Sequence, residues 1–204
     1  MLEAILHGFI LAFGLILPLG VQNVFVFNQG VLQPNFIKAL PVIITASICD
    51  TLLISLAVLG VSVVVLGSYW IKACLFAAGI FFLIYMGVIT WRSKPSSGEK
   101  KQSVTFTPRK QIAFALSVSL LNPHAILDTV GVIGTSSLKY AGVEKVAFTA
   151  VCILISWLWF FGLGIAGRVT GKIDQSGRFL SALNKISAVV MWGTAVYIGF
   201  SFWG

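Results

Sequence analysis

Asp50 lies inside an apolar run, Thr45-Ala-Ser-Ile-Cys-Asp-Thr-Leu-Leu53, and no basic residue sits at comparable depth in any apolar stretch of the chain. A second such acid, Asp128, closes Leu121-Asn-Pro-His-Ala-Ile-Leu-Asp128, four residues after His124, so these two share a helix face with Ser117. A third polar group, Gln22 with Asn23, follows Pro18 and Gly20 in Leu17-Pro-Leu-Gly-Val-Gln-Asn23. Carboxyl, imidazole and amide groups walled in by apolar residues can exchange protons or hold a small cationic or zwitterionic solute. With no basic neighbour, either a carboxyl keeps its proton or a cation comes to it from outside the chain. Catalytic chemistry has no comparable support: the chain has no Walker A motif, no G-x-G-x-x-G after a strand, no H-E-x-x-H and no dense His or Cys cluster. No enzyme activity, cofactor or metal is expected.

The elements that position these groups must sit in lipid. Of the 204 residues 58% are hydrophobic and only 10% charged, too few to cover a soluble domain, and the mean hydropathy is +0.98. Six apolar runs approach the roughly 20 residues needed to cross a bilayer, at about 5–28, 39–62, 71–91, 112–134, 147–167 and 181–203. They are continuous rather than alternating, which excludes a transmembrane β-barrel and leaves helices. Trp70 and Trp91 bracket the third run as interfacial anchors. The start of the chain lacks a signal peptide's basic region, so the first run is expected to stay in the mature protein.

Lys and Arg total 14 against 6 acids, and 11 of them fall in the odd-numbered connections. This distribution reads as membrane topology, with no nucleic-acid partner. The positive-inside rule then puts the long basic loop 92–110 in the cytoplasm and the C-terminus outside, with the N-terminus less firmly placed because little charge flanks the first segment. The expected fold is an all-α integral membrane protein of six transmembrane helices. Residues 1–92 and 111–204 would be two inverted three-helix repeats joined by the basic linker 93–110. Pro18 precedes Asn23 as Pro123 precedes Asp128, and Tyr85-Met-Gly87 echoes Tyr197-Ile-Gly199. Repeats of this kind place a binding site near the midplane, where helices are interrupted.

Broken helices are expected in segments 1 and 4. Proline removes a backbone donor and clashes with the preceding turn, so Pro18, loosened further by Gly20, should break or kink the first segment, with Gln22 and Asn23 at hand for the freed backbone. A proline kink used only for packing is the competing reading. In segment 4 the 11 Leu, Ile, Val and Phe residues between 112 and 134 contribute roughly 3–7 kcal/mol to insertion, while one central Asp costs about 2.5–3.5. Adding Asn122, Pro123 and His124 leaves little, so neighbouring helices must supply polar partners. Asp50 and Asp128 are site candidates, against structural interhelical hydrogen bonds as the bland alternative. Cys49, Cys74 and Cys152 lie in apolar runs with no C-x-x-C spacing and read as small hydrophobes. Two small-residue pairs, Gly8 with Ala12 and Gly162 with Ala166, are candidate helix contacts.

Leu17-Pro-Leu-Gly-Val-Gln-Asn23, Asn28-Gln-Gly30, Asp50, Leu121-Asn-Pro-His-Ala-Ile-Leu-Asp128 and Trp157-Leu-Trp-Phe-Phe-Gly162 together resemble the LysE-type bacterial exporters of lysine and arginine, in order over essentially the whole chain. The resemblance implies proton- or potential-driven export of a basic amino acid from the cytoplasm, across the plasma membrane. It implies Asp50 and Asp128 as the intramembrane acids and Pro18, Gly20, Gln22, Asn23, Asn122 and Pro123 as the broken-helix elements. Together with the reading of segment 4, the expected substrate- and proton-binding residues are Asp50, Asp128, Gln22, Asn23, Asn122 and His124, with Pro18, Gly20 and Pro123 breaking the helices. The chain departs from the pattern at Val21, where many members have a second proline, and this bears on substrate identity more than on fold. Amino acid, protons and lipid are the partners so implied, with a homo-oligomer open. A neutral amino-acid exporter of the threonine or homoserine type and a non-transporting scaffold are the other readings.

Overall fold

The computed structural model describes residues 1–17, 20–60, 106–120 and 129–173, with Ile126 and scattered helical positions between 77 and 92 and between 181 and 200. Among these the regular structure is entirely helical. The first apolar run is two helices, α1 (Leu2–Ile16) and α2 (Val21–Leu32), bent by 76° relative to each other. The expected interruption is thus a full break, with Gly20 as the extended N-cap of α2 (φ −74°, ψ 174°). Gln33 ends α2 in an extended conformation, as a residue before proline must.

A 3-10 turn at Phe36–Ala39 leads into α3 (Leu40–Val58). Asn35 caps that turn by accepting the Lys38 N–H at 3.0 Å. Pro41 falls in the first turn of α3, where a missing N–H leaves no bond unmade, and Gly60 closes the helix at φ +76°. The remaining elements are α4 (Pro108–Leu120), a π-helical turn at Thr129–Gly134 running into a helical turn at Thr135–Ser137, and the long helix α5 (Gly142–Ile173). Among the described residues, Phe36–Val58 and α5 are each long and apolar enough to cross a membrane, and the bent α1–α2 pair makes a third if it counts as one span. The third and sixth expected segments, the linker 93–105 and the middle of the fourth segment fall largely outside the described residues. Within the third and sixth, the Trp192 indole donates to the Ile84 carbonyl at 3.3 Å, and the rings of Trp91 and Trp192 lie 5.6 Å apart.

The 32 residues of α5 span about 48 Å at 1.5 Å each, well over the hydrocarbon thickness. Lys145 and Arg168, near its two ends, stand about 34 Å apart by the same rise. This helix packs against α1, α2 and α3. Lipid offers no hydrophobic drive between helices, so close van der Waals approach must hold them. Gly8 gives that approach on α1, where an added Cβ would lie 3.0 Å from the Phe148 carbonyl oxygen, and Ala12 is buried nearby.

The pair Gly162 and Ala166 does not play the matching part. Both residues are exposed, and a Cβ at Gly162 meets nothing. The contact face is turned by two residues, to Gly164, Gly167 and Gly171. An added Cβ at Gly167 would overlap the Phe27 carbonyl oxygen, and one at Gly30 on α2 the Gly164 carbonyl oxygen. Backbone therefore meets backbone where α2 crosses α5.

Two apolar clusters flank the middle of this assembly. One gathers Ala4, Ala12, Ile54, Val58, Phe148 and Cys152; the other gathers Phe25, Val26, Val42, Ile43, Ala46 and Phe160. Asp50 falls between the clusters along α3 and Ser156 falls between them along α5.

At one end of the bundle the Arg168 guanidinium donates to the carbonyls of Gln33 (2.9 Å) and Pro34 (2.7 Å), while Gln111 donates to the Lys38 carbonyl at 2.9 Å. At the other end the amino group of Met1 pairs with Glu144, and Lys139 with Glu3 at 2.6 Å. The hydrogen bond and charge of Lys139 hold the Glu3 carboxyl below its ordinary 4.5. A lowered carboxylate stabilises the fold above its unfolded value and loses that contribution as the pH falls through its folded one. Thermal unfolding should therefore show a small deficit for Lys139→Gln at pH 7 that disappears in acid below that range.

Candidate functional site

Asp50 projects from the middle of α3 and is half-buried. Both of its carboxylate oxygens are taken, each by a different helix. Oδ1 accepts from Gln22 Nε2 at 3.3 Å, and Oδ2 accepts from Ser156 Oγ at 2.9 Å. Gln22 belongs to the first turn of α2, so the carboxylate stands beside the positive end of that helix. One residue along, Thr51 Oγ1 accepts the Trp157 indole N–H at 3.0 Å while donating to the Ser47 carbonyl at 2.7 Å. Gln22 and Ser156 are both buried. Three helices thus meet on one polar layer, closed above and below by the two apolar clusters.

Among the described residues no Lys, Arg or His pairs with Asp50. Both donors to the carboxylate are neutral, so nothing described here cancels its charge. Such a layer can hold a proton or a cation, because the acid is the one charged group among its described residues and its neighbours are dipoles. Among the described residues no group of three or more His, Cys, Asp or Glu could hold a metal ion.

Of the residues singled out from the sequence, Gln22, Asn23 and Asp50 come together around the break. Gln22 turns to Asp50, whereas Asn23 donates to the Ile16 carbonyl at 2.8 Å and so serves backbone freed at the end of α1. Gly20 caps α2. Pro18, Asn122, Pro123, His124 and Asp128 lie outside the described residues. Ser117 donates to its own helix, to the Ala113 carbonyl at 2.8 Å.

Sequence reasoning missed Ser156, Thr51 and Trp157. A serine or threonine in an apolar helix is ordinary, since its hydroxyl can bond back to the preceding turn. The available signal was the neighbourhood: Ser156 precedes the aromatic run Trp157-Leu-Trp-Phe-Phe, and Thr51 follows Asp50.

A bundle of helices long and apolar enough to cross a membrane, with an acid set in a polar layer between them, is the architecture of an α-helical membrane protein. The LysE type translocator family model matches residues 13–201, and the chain belongs to that family of amino-acid transporters. The Bacillus subtilis (strain 168) protein YisU, named for amino-acid transport with no substrate specified, is 58% identical over 200 residues, covering 98% of this chain and 90% of its own length. The arginine exporter protein ArgO of Salmonella newport (strain SL254) is 33% identical over 94% of this chain and 91% of its own. ArgO of Salmonella typhimurium is 32% identical over the same shares. No solved structure matches the chain.

Proposed function

We propose that this protein exports basic amino acids, arginine foremost, across the bacterial inner membrane in exchange for protons. The observation that carries the reading is the uncompensated acid of the polar layer: Asp50 is held by Gln22 and Ser156 and has no basic partner among the described residues. The arginine exporters that align over nine-tenths of both chains support the choice of substrate. Moving a monovalent cation out against an inside-negative potential costs about 2.3 kcal/mol per 100 mV, so export needs coupling, and one-for-one proton exchange cancels the charge moved.

In this reading Asp50 alternates between holding a proton taken from outside and pairing with the substrate's cationic side chain. Asp128 is the second acid, on the matching helix of the second repeat. Broken helix ends near Gly20 and Pro18, and near Asn122, Pro123 and His124, bind the α-carboxylate and α-ammonium through their dipoles. Gln22 and Asn23 line the first of these ends. Six spans in two inverted repeats, with loop 92–110 cytoplasmic and the C-terminus outside, complete the arrangement.

YisU leaves the substrate unnamed, which keeps a neutral amino-acid exporter as the second reading. The test is efflux from proteoliposomes loaded with labelled arginine, lysine, threonine or homoserine under an imposed proton gradient. Arginine or lysine should leave faster than the neutral pair. Preferential loss of threonine or homoserine would transfer the assignment to the neutral branch.

A further inference from the structure

Hydroxyls on these helices follow one habit, and Ser156 breaks it. Thr45, Ser47, Thr51 and Ser55 on α3, and Thr149 and Thr170 on α5, each donate to the carbonyl four residues back, at 2.7–2.9 Å. Ser156 donates instead across the helix interface, to Asp50 Oδ2 at 2.9 Å. The Cys152 carbonyl, one turn back on the same helix, is the acceptor that habit would use. A hydroxyl is one donor and two acceptor lone pairs on a freely turning bond.

We propose that Ser156 is a positioning residue that switches with the protonation of Asp50, giving the acid a hydrogen-bond partner in both of its states without moving α3 or α5. With Asp50 ionised, Ser156 Oγ–H donates to Oδ2, as in the structure. When a proton from water reaches Oδ2, the Ser156 side chain turns about its Cα–Cβ bond to the rotamer that donates to the Cys152 carbonyl, as Thr149 and Thr170 do to theirs. The new acid O–H then donates to Ser156 Oγ. One proton is gained, one hydrogen bond reverses, and neither state leaves a buried polar atom unpaired, which would cost stability in so apolar a layer. The second contact between the same helices, Trp157 to Thr51, involves no titrating group and keeps the register while Ser156 turns.

Few other charges act at this point. The elements packed on α3 carry Lys38 on the 3-10 turn, Arg109 and Lys110 at the start of α4, and Glu144, Lys145, Arg168 and Lys172 toward the ends of α5; α2 and the π-helical turn carry none. The thiols of Cys49, beside Asp50, and Cys152, beneath Ser156, are the remaining titratable groups. Asp128 lies outside the described residues.

This inference rests on the reading of Asp50 as the transport acid, and the test separates the two. Purified full-length protein in lipid is titrated by infrared difference spectroscopy, with Asp50→Asn identifying the Asp50 carboxyl band. Ser156→Ala should move that band to higher frequency, as a carboxyl short of a partner requires, and displace the pH at which it appears. Ser156→Thr, which keeps the hydroxyl, should leave both near native. In proteoliposomes Ser156→Ala should lower the maximal rate of proton-driven arginine efflux about tenfold with little change in KM, the scale of one hydrogen bond to a charged group, and Ser156→Thr should restore it. A carboxyl band and pH profile identical in native protein, Ser156→Ala and Ser156→Thr would overturn the switch. A band that responds to Ser156→Ala while Asp50→Asn transports normally would keep the switch and remove the transport role of Asp50.

Discussion

Asp50→Asn should reduce proton-driven arginine efflux by about a hundredfold or more while folded protein stays near the native amount. Asparagine has nearly the same shape, and both of its neighbours can adapt: Gln22 can present its carbonyl and Ser156 can donate or accept. The polar layer therefore survives the change, whereas the only charge among its described residues does not. Losing one member of a buried charged pair typically costs about 2–5 kcal/mol, and each 1.4 kcal/mol is about tenfold, which sets the scale. Asp50→Leu is the informative contrast. It leaves the Gln22 amide without its partner between two apolar clusters, so protein amount should fall as well as activity. If Asp50→Asn lowered protein amount in proportion to transport, Asp50 would be a packing residue of the kind a scaffold needs.

The largest structural effect is expected from Gly167→Ala. The added methyl group would overlap the backbone carbonyl of Phe27, and neither helix has a flexible side chain there to swing away. α2 and α5 must separate, which opens the interface that also carries Gly30, Gly164 and Gly171. Overpacking a tight contact costs about 1–3 kcal/mol, and a clash of backbone with backbone belongs at or above the top of that range. Because α2 brings Gln22 to Asp50, transport should fall along with stability. Gly162→Ala, five residues earlier on the same helix, meets open space and should behave as native. Thermal unfolding in detergent distinguishes the two, and equal midpoints for both variants would contradict the assigned contact face.

What the sequence revealed follows the energetics of each feature. Asp50 was legible because an acid in lipid is so costly that few explanations remain. The break after the first half of segment 1 was legible because Pro18 and Gly20 act through the backbone, whatever surrounds them. The contact face of α5 was not legible. On a helix that is apolar nearly all round, a face touching protein and a face touching lipid have the same composition, so spacing alone favoured Gly162 and Ala166 as readily as Gly164, Gly167 and Gly171. Ser156 was hidden for a different reason. Its hydroxyl could have bonded within its own helix, and only the crossing of α5 over α3 gives it Asp50 instead.

Proton and arginine fluxes measured together test the central claim most directly. Proteoliposomes carrying the native protein, loaded with labelled arginine and an internal pH indicator, would be given an inward proton gradient. The account predicts that arginine leaves as protons enter in a fixed ratio, and that both fluxes vanish together in Asp50→Asn at matched protein amount. Arginine efflux indifferent to the gradient, or coupled fluxes that persist in Asp50→Asn, would contradict it.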